Sequence, residues 1–408
     1  MKKIVFLLLI GLLWACKSDD VEYVNVNVAI AQVMSKTEFR ASVEIQSPKP
    51  IKEAGKIYAY NNYIFINDKF EGVHVIDNTN PTSPQAITFI KIPGNEDISI
   101  KNNYLYADSA IDLVVFDISN INAITMVAQL EDVFSVYDYQ LPNDIQDIDY
   151  GNYNPQTDVI VGWTIEVQQR DASFVQDFET IGFASNDSSG HQTVGTGGSL
   201  ARFQIVGNYL YTVGSHEMTI FNIINLSEPT LVSTQYSGNN IETMFQADGY
   251  LYLGSTDGMY IYGLQNPENP DFISEFTHWT GCDPVVVAGN YAYLTLRGGN
   301  NCGQQESVLE VIDISNKYNP VLVATHSLEN PYGLGVKGNS LFICDGEAGL
   351  KVFDKTNPLN IQWVETFNNI TATDVIPLSG SLLMIGNNTL YQYSYGSNSI
   401  ELLSSYQL

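Results

Sequence analysis

Asn61-Asn62-Tyr63, Asn102-Asn103-Tyr104, Gly207-Asn208-Tyr209, Asp248-Gly249-Tyr250, Gly289-Asn290-Tyr291, Gly338-Asn339-Ser340 and Ser379-Gly380-Ser381 each open an alternating apolar run. Steps between the seven markers are 41, 105, 41, 41, 49 and 41 residues, so the period is 41 and two steps carry 64 and 8 extra residues. A period of roughly 40 residues signals stacked supersecondary units. Within each unit the apolar residues alternate and no stretch has helical spacing, which predicts four short strands.

Six residues before each marker stands an apolar side chain: Ile57, Ile98, Phe203, Met244, Val285, Leu334 and Val375. These define an innermost strand, A. Strand B is the marker run itself, opened by an Asn or Gly that tolerates a tight turn. Strand C is Val73–Asp77, Leu113–Asp117, Leu309–Asp313 and Leu350–Asp354, and an Asn-Pro turn (Asn80-Pro81, Asn266-Pro267, Asn319-Pro320, Asn357-Pro358) often leads to strand D. Asp77, Asp117, Asp313 and Asp354 resemble a carboxylate array, but a side chain at this position ordinarily closes an Asx-turn. The pattern predicts an all-β chain without helices, a seven-bladed β-propeller of four-stranded antiparallel blades.

The run Leu113-Val114-Val115-Phe116-Asp117-Ile118-Ser119 and its relatives ending at Asp313 and Asp354 resemble the LVIVD repeat of bacterial surface or periplasmic proteins. That resemblance extends over roughly residues 54–408 and implies a propeller; it implies no particular activity. Ser340 and Ser381 replace Tyr, and the last unit lacks the strand C Asp, without breaking the period. Closure has two readings. Glu401-Leu402-Leu403 can form strand D of the last blade, with Ala41-Ser42-Val43-Glu44-Ile45 capping an edge, or the N-terminal run can replace it.

Met1-Lys2-Lys3 followed by the apolar residues from Ile4 to Trp14 reads as a signal peptide, too short to span a bilayer. Leu13-Trp14-Ala15-Cys16 resembles the lipobox of bacterial lipoproteins, which implies lipidation of Cys16. Lys17-Ser18-Asp19-Asp20 is similar to the export signal that places Bacteroidota lipoproteins on the outer face of the outer membrane. The expected organisation is a signal peptide at 1–15, a lipidated cysteine and linker at 16–40, and the propeller at 41–408 with a lid insertion at about 135–200. Without Lys2 and Lys3, 16 basic residues face 45 acidic ones, a net charge of −29. Such a surface repels phosphate backbones, so nucleic acid is not an expected partner.

In a four-stranded meander the D–A and B–C connections emerge on one face. Cys282, before strand A of the fifth unit, and Cys302, in its B–C connection, therefore share a rim. A disulfide between them is expected in an exported protein, closing a loop of about 20 residues and contributing roughly 3 kcal/mol. Cys344, within Leu341-Phe342-Ile343-Cys344, reads as a buried thiol. The 64-residue insertion lies in a D–A connection, on that same face. Within it, residues 158–167 alternate like a strand, whereas Ser185 to Ser199, rich in Gly, Ser, Asn and Thr, reads as mobile.

Candidate ligand-binding residues on this face are Glu96, Asp97, Arg202, Glu242, Asp283 and Asp374 entering strands A, with His278, Trp279, Arg297 and, in the insertion, Trp163. Mixed charges and aromatics suit a polar ligand or a protein. No G-x-S-x-G, H-E-x-x-H or phosphate-loop motif occurs, and the five histidines are scattered, so no catalytic or metal residues and no cofactor are assigned. The expected function is a monomeric, lipid-anchored, non-catalytic binding module for an extracellular protein or glycan. The alternative is an extracellular hydrolase or lyase of polysaccharides using His278, Asp283 and Asp374.

Overall fold

The structure is a computed structural model that describes residues 23–134, 141–142, 145–171, 196–197, 199–278, 284–298, 306–397 and 399–408. Cys16, Trp279, Cys282, Asp283 and Cys302 lie outside these described residues, and with them the expected lipid site and disulfide.

Among the described residues, seven sheets built on a four-strand antiparallel meander follow one another, beside one three-stranded sheet. In the first, strands A to D are Ala54–Tyr60, Tyr63–Asp68, Gly72–Asp77 and Gln85–Lys91. Strands A of the other six are Ile98–Lys101, Phe203–Val206, Ile241–Ala247, Val285–Ala288, Leu334–Lys337 and Ala372–Pro377. All seven apolar residues expected to mark strand A lie on these strands and are buried. Strands B and C read as near-continuous apolar runs because neighbouring sheets cover both their faces. Leu113, Val114, Val115 and Phe116 are all buried. Strands D alternate, as in Val321–Ser327, because one face meets solvent.

Strands A of successive sheets touch, and that of the seventh sheet also touches that of the first. Ile57, Ile64 and Ile76 share an apolar cluster with Ile376, Leu383 and Leu390. Asn78 and Gln392 exchange reciprocal amide hydrogen bonds of 3.0 and 2.7 Å across the same seam. The last sheet carries its own strand D, Ile400–Gln407. Glu44–Gln46 instead adds to the outer edge of the first sheet, with Glu44 opposite Lys91. Of the two readings of the termini, edge capping is the one observed.

The carboxylates of the C–D turns close those turns. Asp77, Asp117, Asp313 and Asp354 accept from the backbone N–H two residues on, at 2.7 to 2.8 Å. The hydroxyls of Thr79, Ser119, Ser315 and Thr356, together with these backbone bonds, hold all four below the usual carboxylate range.

Three features differ from the sequence reading. Residues 23–35, read as linker, form a strand, Tyr23–Ser35, paired antiparallel with Asp158–Asp171 and parallel with Asp147–Asp149. Instead of a helix-free chain, a six-residue helix, Lys36–Ala41, follows this strand, its first turn capped by Ser35, which accepts from the Glu38 N–H. A short 3-10 turn also occurs at Pro358–Asn360. Finally, the end of the stretch read as mobile is ordered: Thr196–Gly197 pairs with strand A of the first sheet, and Ser199 is buried.

The three-stranded sheet is fastened to the B–C turn of the second sheet. Phe39 packs with Ala110, Ile111 and Val159, a burial that contributes about 2 kcal/mol. Arg40 donates to both oxygens of the buried Asp112 carboxylate at 2.7 and 2.9 Å. The described part of the insertion is thus docked beside a B–C connection.

Candidate functional site

The N-terminal ends of strands A share a register that is charged on four sheets. Lys56, Asp97, Arg202, Gly333 and Asp374 all stand seven residues before their markers. The peptide turns into each inner strand at this level, so side chains here meet the neighbouring sheets rather than solvent.

Asp97 ties three sheets together. One oxygen accepts from its neighbour Ile98 N–H at 2.8 Å, and the other from Phe203 N–H at 2.9 Å and from Arg202 N–H. Lys56 Nζ stands 3.4 Å from Asp97 Oδ2. The Arg202 guanidinium pairs with Glu96. Asp108, one strand further out, accepts from Asn95 Nδ2 at 2.7 Å and from the backbone of Glu96 and Asp97 at 2.9 and 3.0 Å. Asp374, on the seventh sheet, accepts from Val375 N–H at 2.9 Å, from Ile57 N–H at 3.4 Å and from the Ser199 N–H. Ser199 Oγ in turn accepts from the N–H of Leu334.

Burial dominates the protonation of this belt. It pushes Asp374 and Asp108 up to about 7 and raises Asp97, while lowering Lys56 despite the nearby carboxylate. Two carboxyls therefore exchange protons near neutrality beside a lysine and an arginine. Chemically the belt can accept backbone N–H groups or transfer a proton.

The structure joins Asp97, Arg202 and Asp374 in one network and places Glu242, also buried, at the start of strand A of the fourth sheet. Arg297 lies apart, in the B–C connection of the fifth sheet, its guanidinium 4.3 Å above the Tyr332 ring. Trp163 stands in the added three-stranded sheet, edge-on to Tyr150 at 5.8 Å. His278 closes strand D of the fourth sheet, Asp271–Thr277, whereas Asp374 lies on strand A of the seventh. The acid–base trio proposed from sequence is therefore divided between the fourth and seventh sheets, with Asp283 outside the described residues. Among the described residues no three His, Cys, Asp or Glu side chains group as metal ligands.

Lys56, Asp108, Ser199 and Gly333 belong to the site and do not stand out in the sequence. For Lys56 and Gly333 the shared register was the available signal. Ser199 and Asp108 act on main-chain groups and leave no sequence mark.

Four segments, residues 52–88, 95–132, 197–236 and 282–326, match the LVIVD repeat model. They cover the first, second, third and fifth sheets. No curated protein matches the chain. Among solved structures it is similar to a functionally unknown protein from Desulfotomaculum acetoxidans, at 10% identity and TM-score 0.55, covering 85% of this chain and 96% of that one. It is also similar to the periplasmic gluconolactonase PpgL of Pseudomonas aeruginosa, at 11% identity and TM-score 0.54, covering 87% and 96%. A protein from Lactobacillus plantarum gives 11% identity and TM-score 0.54, covering 86% and 96%. These likenesses define the class: a propeller-like repeat protein, all-β, built of four-stranded antiparallel sheets carrying LVIVD repeats.

Proposed function

We propose that this chain is a closed seven-bladed β-propeller, lipid-anchored through Cys16 to the outer membrane and displayed at the cell surface. There it acts as a non-catalytic binding module for an extracellular protein or glycan. The contact of the first and seventh inner strands, with the apolar seam around Ile57 and Ile376, supports closure. One observation carries the binding reading: the added sheet docks at Ala110 and Ile111, on the same rim as the belt of Asp97, Arg202 and Asp374. An insertion beside a belt of polar groups is where a repeat scaffold gains specificity.

The test is a glycan and secreted-protein array probed with residues 21–408. Saturable binding that weakens on deleting 140–198, or in Trp163→Ala, is expected. Binding indifferent to both changes overturns the assignment of this face. Localisation is read separately, by radiolabelled palmitate incorporation and its loss in Cys16→Ser, with protease shaving of intact cells.

Asp374, near neutral in its protonation, favours a second reading as a hydrolase or lyase of extracellular polysaccharide. That reading requires turnover that Asp374→Asn abolishes while the fold survives. No turnover over a broad glycan panel removes it.

A further inference from the structure

The residues that fill the belt come from the chain itself, and their chemistry says what the belt recognises. Thr196 and Gly197 lie opposite Ala59 and Tyr58, extending the first sheet at its inner edge as an additional antiparallel strand. Ser199 then spans to two further sheets, its N–H to Asp374 of the seventh and its Oγ accepting from Leu334 N–H of the sixth. Arg202 and Phe203 give their N–H groups to Asp97 of the second sheet. Within eight residues the segment meets four sheets, mostly through its main chain.

Space around it is equally specific. A Cβ at Gly333 would lie 2.8 Å from Asp374 Oδ1 and 2.9 Å from Ser199 Oγ, so the recess admits the segment only because Gly333 has no side chain. The segment itself reads Thr196-Gly197-Gly198-Ser199-Leu200-Ala201, small apart from Leu200. A sugar ring can give hydroxyls to these carboxylates but cannot pair with the main chain of the sheet edge. An extended main chain matches both, as in strand addition to an exposed edge.

We infer that the recess formed by the inner edge of Ala54–Tyr60, Asp374, Leu334 and Gly333 is a receptor for an extended small-residue peptide segment of a partner protein, occupied here by Thr196, Gly197 and Ser199 of the same chain. This rests on the binding reading above and selects a polypeptide over a glycan as the ligand of this recess. A tethered occupant acts at an effective concentration on the order of millimolar. An external segment therefore competes only when the internal one is weakened.

The experiment uses the chain from residue 21 onward and a fluorescent peptide with the sequence of residues 194–201. Ser199→Pro removes both the N–H given to Asp374 and the serine hydroxyl. The peptide is expected to bind this variant saturably by anisotropy, and the wild type at least tenfold more weakly. Adding Asp374→Ala to Ser199→Pro is expected to lose the binding. Should Ser199→Pro not fold, Ser199→Gly, which removes only the hydroxyl, takes its place with the same readings. No binding to a folded variant, equal binding to wild type, or binding indifferent to Asp374→Ala overturns the inference. Array binding that persists while the peptide fails to bind overturns this inference alone. Peptide binding without any array ligand leaves it standing and removes the wider assignment.

Discussion

Tyr106, on strand B of the second sheet, donates its hydroxyl at 2.8 Å to the carbonyl of Leu226 in the C–D turn of the third. Tyr211 repeats the latch one sheet on, reaching Pro267 O at 2.8 Å. Tyr252 and Tyr293 occupy the same place in the repeat, two residues after the marker, but their buried hydroxyls find no hydrogen-bond partner among the described residues. The same substitution should therefore have two outcomes. Tyr106→Phe and Tyr211→Phe should each cost about 1 kcal/mol by leaving a carbonyl unpaired, while Tyr252→Phe and Tyr293→Phe should be neutral or slightly stabilising. Urea midpoints of the four variants test this, and equal losses at all four would contradict it.

Arg40 and Asp112 join the N-terminal strand to the second sheet. Asp112 also accepts from Gln129 Nε2 and Asp132 N–H, each at 2.8 Å. Arg40→Ala leaves a buried carboxylate without its cation, which should cost about 3 kcal/mol. The loss should be local, appearing as faster amide exchange in residues 23–35 and 158–171 while strands A remain protected. Arg40→Lys should recover only part, since an ammonium cannot make the two-pronged contact. Protection of residues 23–35 that is unchanged in Arg40→Ala would remove Arg40 as the fastening.

The repeated strands are legible in the sequence because burial on a pleated surface imposes a period of two, and the repeat imposes a fixed offset between Ile57 and Tyr63, or Val285 and Tyr291. The partner of residues 158–167 is not legible. Alternation announces a strand but says nothing of its neighbour, here Tyr23–Ser35, whose Val26 and Val28 are buried. Offset logic likewise reaches Asp97, Arg202 and Asp374. It gives no warning of Ser199, whose contacts are mainly with main-chain atoms and depend on Gly333 being small.

Asp374 and Asp108 give a pH signature with a definite sign. Both have an ordinary value of 3.8 and are pushed up to about 7 in the folded chain. The folded state therefore holds more protons than the unfolded one between those values. The stability tied to these protons is fully present below about pH 4, falls as pH rises towards 7 and is constant above it. Surface carboxylates such as Asp77 and Asp354, held below their usual range, act in the opposite direction at lower pH. The test is thus a difference: Asp374→Asn should flatten part of the decline between about pH 4 and 7 relative to wild type, and Asp374→Asn with Asp108→Asn a larger part. Parallel wild-type and variant curves would show that neither group titrates in this window.

Thiol counting tests the rim of the fifth sheet. Cys344 is buried and free, and burial raises its thiol well above the ordinary range, so a folded chain should resist alkylation there. Cys282 and Cys302 are expected to be joined, holding the B–C connection after Leu296 to the entry of strand A at Val285. For the chain from residue 21 onward, iodoacetamide should therefore add nothing to the native protein, one group after denaturation, and three after denaturation with reduction. Three groups without reductant would mean that the two cysteines do not pair. One group with Cys282 or Cys302 as its site would mean that Cys344 has exchanged into the bridge, which its burial with Phe342 and Leu350 on the sixth sheet opposes.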